Sequence, residues 1–298
     1  MSGIKEIKNH IAGVQDTRKI TNAMYLIAST KLRKAKAELD KTRPYFSALR
    51  GEVKRIFRGM ENVDSPYLKS PGDKSREGRW ALLVITADKG LAGAYNHNVL
   101  KAAEAFREKH PDARVFVIGE FGRQYFRRNK RDIEPDFDFS AQNPTIERSR
   151  VISRRLLSLY DAGELSRIYI AYSDMNGMTA QSRMTQLLPL HTDHFAGKSV
   201  DAELNGEFEF YPSPAAVLGS IIQSYVSGFI YSAMVDSYCC ELSERMRAMD
   251  SATGNADRII EELSMEYNRQ RQGAITQEIT EVSAGARAQK KKDAREVQ

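Results

Sequence analysis

Residues 4–39 read IKEIKNHIAGVQDTRKITNAMYLIASTKLRKAKAEL. Steps of seven from Ile4 give Ile11, Arg18, Tyr25, Leu32, Leu39, Phe46 and Val53; steps from Ile7 give Val14, Thr21, Ala28, Ala35, Thr42, Leu49 and Ile56. A 3.5-residue repeat keeps one stripe of an α-helix turned toward a partner. Eight heptads with only Arg18 charged at the seam therefore predict a coiled-coil helix. Charge collects off the seam, at Lys31, Arg33, Lys34 and Lys36 among others. At 1.5 Å per residue the helix would run roughly 85 Å, more than a compact domain needs. Pro44 removes one backbone donor and marks a candidate kink.

The far end repeats the pattern. Ser213 and Pro214 read as a cap and first helical residue, and no proline follows. Steps of three and four give Leu218, Ile221, Tyr225, Gly228, Ser232, Val235, Cys239, Leu242, Met246 and Met249. They continue through Thr253, Ala256, Ile260, Leu263, Tyr267, Gln270 and Ala274. The residues SATGN at 251–255 are a candidate break, with the question left open; an unbroken helix would reach roughly 110 Å. Neither terminal helix has a local partner, so each is expected to pair with the other. Residues 211–235 carry no charge and are long enough to span a bilayer, but they include Ser220, Gln223, Ser224, Ser227, Ser232, Gly219 and Gly228. They read as a helix buried against a domain.

The middle is different in kind. Trp80-Ala-Leu-Leu-Val-Ile-Thr86 and Arg114-Val-Phe-Val-Ile-Gly119 are continuous apolar runs, the mark of strands covered on both faces. Arg167-Ile-Tyr-Ile-Ala-Tyr172 is a third strand and 181–190 a fourth. Helical patterns at about 94–109, after Gly119 and at about 145–160 separate them, which predicts a small α/β, Rossmann-like domain with a mostly parallel sheet. Polar stretches 61–77 and 191–207 read as linkers. The division is 1–60, a coiled-coil helix; 61–210, the α/β domain with its linkers; and 211–298, the second coiled-coil helix.

Chemistry is sparse. No G-x-x-x-x-G-K-[ST] or G-x-G-x-x-G follows a strand, although the loop DKGLAGAYN at 88–96 stands where such folds bind ligands. It is read as a tight strand-to-helix turn, with ligand binding as the alternative. Five histidines form no i, i+4 pair and no cluster with cysteine; His191 and His194 lie in a polar linker. Nothing suggests a nucleophile, and Glu261 and Glu262 read as a solvated helix face. Cys239 and Cys240 are helical neighbours pointing about 100° apart, a poor disulfide geometry, and read as small buried apolar residues. The first ten residues have neither a signal-peptide nor a transit-peptide pattern. Residues 1–60 hold fourteen Lys/Arg against five Asp/Glu, so an acidic partner is expected. The apolar seam argues for protein over nucleic acid.

The two ends together resemble a known family. Ile275-Thr-Gln-Glu-Ile-Thr-Glu-Val-Ser-Ala-Gly-Ala-Arg-Ala288 is similar to the signature of the gamma subunits of F-type ATP synthases. Ile275, Thr276, Glu278, Glu281, Gly285, Ala286 and Ala288 fill its defined positions. The N-terminal helix, Arg245-Met-Arg-Ala-Met249, TADKGLAGAYN and Leu187-Leu-Pro-Leu190 resemble the same family in the same order.

The resemblance implies a rotor without catalytic residues of its own, using no cofactor, metal or small-molecule substrate. In the family the terminal helices form a left-handed antiparallel coiled coil inside a hexamer of alternating alpha and beta subunits. The α/β domain stands against the epsilon subunit and the membrane ring of c subunits. Proton or sodium flow turns ring and rotor, and the turning drives the catalytic beta sites through different affinities. By family position, Met24, Lys31 and Arg33 face the beta subunit's acidic lever. Arg245, Arg271, Gln272, Thr276, Glu278 and Glu281 match positions tied to coupling and to alpha and beta contacts. Each is also readable as a plain helix-surface or seam residue. Tyr25 and Tyr95 depart from the usual smaller residues, and the dithiol insertion of chloroplast members is absent. The implied place is the cytoplasmic face of a bacterial inner membrane. The alternatives are a generic coiled-coil scaffold and a nucleotide-binding α/β protein.

Overall fold

A computed structural model describes residues 2–59, 65–69, 78–176, 179–191, 211 and 214–296. The expected cap at Ser213, most of both linkers and His194 lie outside them, as do the side chains of Thr42, Phe46, Ile56, Leu218 and His191. The elements in order are α1 (Ser2–Gly59), β1 (Leu68–Lys69), β2 (Arg79–Ile85), α2 (Tyr95–Lys109), β3 (Arg114–Ile118) and α3 (Glu120–Arg128). They continue with α4 (Ile146–Asp161), β4 (Leu165–Asn176), β5 (Thr179–Leu188), β6 (Leu190–His191) and α5 (Pro214–Glu296). The chain forms two compact units: one of residues 1–27 and 247–298, the other of residues 28–246.

In the first unit the ends of α1 and α5 run antiparallel. Thr21 and Thr253 share a hydroxyl hydrogen bond of 2.8 Å, and the Arg18 guanidinium meets the Asp257 carboxylate. Nearer the N-terminus, a Cβ added at Gly3 would lie 3.3 Å from Gln270. The partner numbers fall on α5 as they rise toward the C-terminus of α1. Arg18, the one charge at the seam, is thus answered across the seam; with both side chains about half exposed the pair adds only a few tenths of a kcal/mol. The question left open at 251–255 is answered by a continuous helix. Gly254 is exposed with open space around it, while Met249, Thr253 and Ala256 on the covered side keep their contacts. One mid-helix glycine costs only about 1 kcal/mol, which the covered stripe offsets.

The second unit is built on a four-stranded sheet in the order β3-β2-β4-β5. β2 pairs in parallel with β3 and β4, while β4 and β5 form an antiparallel hairpin. β1 and β6 make a small parallel pair of their own, so a strand lies inside the first expected linker. Alternate residues of β2 serve opposite layers, which explains its unbroken apolar run. Ala81, Leu83 and Ile85 pack with α4 (Ile152, Leu156, Tyr160) and the start of α5 (Ile222, Val226, Ile230). Leu82 and Val84 pack with α2 (Val99, Leu100, Phe106) and Phe126 of α3. Thr145 caps α4, its hydroxyl accepting from the Arg148 amide at 3.2 Å.

The uncharged run that begins α5 is covered from two sides, by the sheet layer and by α1. Against α1, Ala28 and Ala35 meet Tyr231, Val235, Tyr238, Cys239 and Leu242. Small residues on α1 let the large ones on α5 come close. No helix among the described residues is long and apolar enough to cross a membrane. Ser237 ties α5 to the sheet, its hydroxyl accepting from the Ser173 amide at 3.1 Å.

Cys239 faces α1 and Cys240 packs with Ala87, Ala92 and Tyr95. Both are free and buried. Burial pushes the Cys239 thiol up to about 11 and the Cys240 thiol further still. Thiolate is the reactive form, so neither thiol is expected to react with a disulfide reagent at neutral pH until the protein unfolds. Prompt release of one thiol equivalent from folded protein would contradict this packing.

Candidate functional site: a clamped loop and an uncovered helix end

The C-terminal ends of the parallel strands, where an α/β enzyme would hold its ligand, are filled by the chain itself. Thr86 at the end of β2 is fully buried; its hydroxyl donates to the Ile118 carbonyl and accepts from the Gly122 amide, each at 3.0 Å. Asp88 accepts from the amides of Glu120, Ala141 and Gln142 at 3.1 to 3.3 Å and from the Ser140 hydroxyl. Partial burial raises the Asp88 pKa, and these hydrogen bonds outweigh it, leaving the carboxyl below its ordinary value. Asn96 accepts from the Ala87 amide at 2.9 Å. The loop 88–96 is a turn held by saturated polar groups.

Arg245 holds the same loop from α5. It donates to the carbonyls of Gly90 at 3.0 Å and Lys89 at 3.3 Å, and it pairs with Glu241 one turn back on the helix. Glu241 is buried, and its second carboxylate oxygen has no partner among the described groups. Burial raises its pKa, and Arg245 opposes that rise. A glutamate this deep was not singled out from sequence. The one hint was its i, i+4 spacing to Arg245.

The other site candidates lie elsewhere. Met24 is half-buried on α1, while Lys31 and Arg33 are exposed. Arg271, Gln272, Thr276, Glu278 and Glu281 are all exposed on α5. Their hydrogen bonds run along the helix: Thr276 donates to the Gln272 carbonyl at 2.9 Å, Thr280 to the Thr276 carbonyl at 2.8 Å, and Gln277 to Glu281 at 2.9 Å. From Ile275 through Arg287 every residue of α5 is exposed, including Ile279 at 61% and Val282 at 72%. The structure thus separates the candidates: Arg245 is spent on the inside of its unit, and the 271–281 group stands open.

A cavity of about 370 Å³ lies instead at the opposite ends of the strands, by Arg79, Arg107 and Arg114. Arg114 is already bonded to Glu134 and Glu164. No group of three or more His, Cys, Asp or Glu able to hold a metal occurs among the described residues.

Residues 3–289 match the ATP synthase family. The chain is 39% identical to the ATP synthase gamma chain of Caldanaerobacter subterraneus subsp. tengcongensis, covering 95% of this chain and 99% of that one. The gamma chain of Acetivibrio thermocellus is 37% identical, with 97% and 100% covered. This chain belongs to the ATP synthase gamma chain family. Its function is therefore that of the gamma subunit of an ATP synthase. A chain in the Euglena gracilis mitochondrial ATP synthase structure shares the fold, at a TM-score of 0.64 and 16% identity over 96% of this chain and 94% of that one.

Proposed function

We propose that the chain couples ion flow to ATP synthesis and hydrolysis as a non-catalytic rotor inside a hexamer of alpha and beta subunits. The observation that carries this reading is where the coverage of α5 stops. Up to Ala274 its seam is covered, and from Ile275 to Arg287 the family signature lies on helix surface that no part of the described chain covers. Apolar side chains at Ile275, Ile279 and Val282 are placed for an outside partner.

The antiparallel contacts of the first unit and the alanine seam of the second support a left-handed antiparallel coiled coil between segments 1–60 and 211–298, with 61–210 as the α/β domain. The epsilon subunit and the c-ring are the proposed partners of that domain. The cytoplasmic face of a bacterial inner membrane is the proposed location. The excess positive charge of residues 1–60 suits acidic loops on the beta subunit and would favour encounter without locking the contact. Met24, Lys31, Arg33, Arg271, Gln272, Thr276, Glu278 and Glu281 are the proposed contacts with alpha and beta.

The test is co-purification with the alpha and beta subunits followed by stoichiometry: one copy to three alpha and three beta is expected. A stable homodimer recovered without them would favour a scaffold instead. Within the assembled complex, Met24→Lys is expected to place a cation beside the beta lever and lower the ions pumped per ATP hydrolysed. An unchanged ratio in reconstituted vesicles would remove Met24 from the coupling surface.

A further inference from the structure

Charges of both signs line the cavity at the N-terminal ends of the parallel strands without meeting one another. Its walls are the start of β2 (Arg79), the last turn of α2 (Arg107), the turn 111–113, the start of β3 (Arg114, Val115) and residues 132–134. Hydrogen bonds fix this frame. The Glu134 amide donates to the Val115 carbonyl at 2.8 Å, the Arg79 amide donates to the Glu164 carbonyl at 3.1 Å, and Arg114 is bonded to Glu134 and Glu164. The Arg114–Glu134 bond, 2.9 Å, cancels one charge of each sign and leaves Arg79 and Arg107 against Asp112 and Asp132. Among the described residues neither aspartate pairs with either arginine.

Arg107 is the covered member of the four. Its side chain is 14% exposed and its guanidinium lies 5.7 Å from the centre of the Phe126 ring. Its Nε and Nη1 are buried without an acceptor, and the Glu104 carboxylate stays 3.9 Å from Nη1, beyond hydrogen-bonding reach. A guanidinium carries five donors, and leaving them unmet away from water is costly. Arg79, Asp112 and Asp132 are exposed. At about 370 Å³ the cavity has the size of a small-molecule site, a concave space with a few convergent polar groups. The charge balance selects the guest. A bare oxyanion gains from the two arginines what it loses to the two aspartates, and a bare amine does the reverse. A molecule carrying both charges gains from each pair.

We propose that this cavity binds a small zwitterion, an oxyanion joined by a short chain to a primary ammonium. Arg107 and Arg79 hold the oxyanion, and Asp112 and Asp132 hold the ammonium. Free amino acids and aminoalkyl phosphates carry this chemistry, and so does the ethanolamine headgroup of a phospholipid. The site is independent of the rotor reading.

The test is calorimetric titration of the full-length chain at neutral pH and fixed ionic strength. Glycerophosphoethanolamine and β-alanine are the zwitterionic probes; dimethyl phosphate and ethanolamine carry one charge each. Saturable binding of one equivalent of at least one zwitterion is expected, about tenfold tighter than either single-charge probe. Arg107→Gln and Asp132→Asn should each weaken it about tenfold, while Arg127→Gln, on an exposed part of α3, should not. If Arg107→Gln fails to fold, Arg79→Gln and Asp132→Asn, both at exposed positions, carry the same test. Vesicles of phosphatidylcholine with and without phosphatidylethanolamine separate the two sources. Competition only by those containing phosphatidylethanolamine assigns the site to a lipid headgroup, and no competition by either assigns it to a soluble molecule. No saturation by either zwitterion would overturn the proposal. So would dimethyl phosphate binding as tightly as the zwitterions, or unchanged affinity in the Arg79 and Asp132 variants.

Discussion

Gly119→Ala is expected to destabilise the α/β unit by about 3–5 kcal/mol, combining overpacking with backbone strain. Gly119 joins β3 to α3 with φ 98°. A Cβ there would lie 2.3 Å from the Thr86 carbonyl oxygen, 2.7 Å from that of Ala87 and 2.7 Å from the Thr86 hydroxyl. Two of those atoms are backbone at the end of the central strand, which cannot retreat without opening the sheet. Gly163 is the control. It has φ 79° with no atom within 4 Å of an added Cβ, so Gly163→Ala should cost only the conformational strain, about 1 kcal/mol. Denaturant titration of the two purified variants checks the contrast. Equal midpoints would show that crowding against Thr86 is not what requires glycine at 119.

Arg245→Ala is expected to cost about 3–5 kcal/mol, because it leaves a buried carboxylate without its cation. The loss depends on pH, and its sign follows from Glu241. Burial raises the folded pKa of Glu241 above its unfolded value, and removing Arg245 raises it further. A carboxyl with a raised folded pKa contributes its full share of stability below the unfolded pKa, about 4.3, and loses it as pH rises through the folded pKa. The deficit of the variant should therefore be largest at neutral pH and shrink toward pH 4. Adding Glu241→Gln should recover much of it at pH 7. A deficit that is flat with pH, or untouched by Glu241→Gln, would mean that lost packing of the arginine stem dominates.

Along the N-terminal helix the heptad pattern carried nearly the whole burial pattern. Every described seam side chain except Arg18 is buried or half-buried, and off the seam only Met24 and Ser29 join them. This works because a two-helix contact is local in sequence on each helix: period alone decides which side is covered. The same reasoning could not decide between a break and a continuous helix at 251–255, because local glycine propensity is outweighed there by contacts made at a distance. It also gave too short a β4. Ser173, Asp174 and Asn176 extend the strand to Asn176 through pairing with β5, and polar hairpin residues carry little strand signal.

The loop at 88–96 was legible as a turn from its glycines and its place after a buried strand. Its anchors were not. Asp88 finds its partners 32 to 54 residues downstream, and Arg245 reaches it from α5. Glu241 was hidden for a related reason: it is buried beside Cys240, which packs on Ala87, Ala92 and Tyr95, and Leu242, which packs on α1, contacts that no local pattern in α5 reports.

Rotation itself is the most direct test. Because Cys239 and Cys240 are buried, a cysteine introduced at the exposed Arg127 offers a selective attachment point for a probe on the α/β unit. With the alpha and beta subunits fixed to a surface and ATP supplied, the probe is expected to turn in one direction, pausing at three positions per revolution. A probe that stays still while the same complexes hydrolyse ATP, or that wanders in both directions, would contradict a rotor.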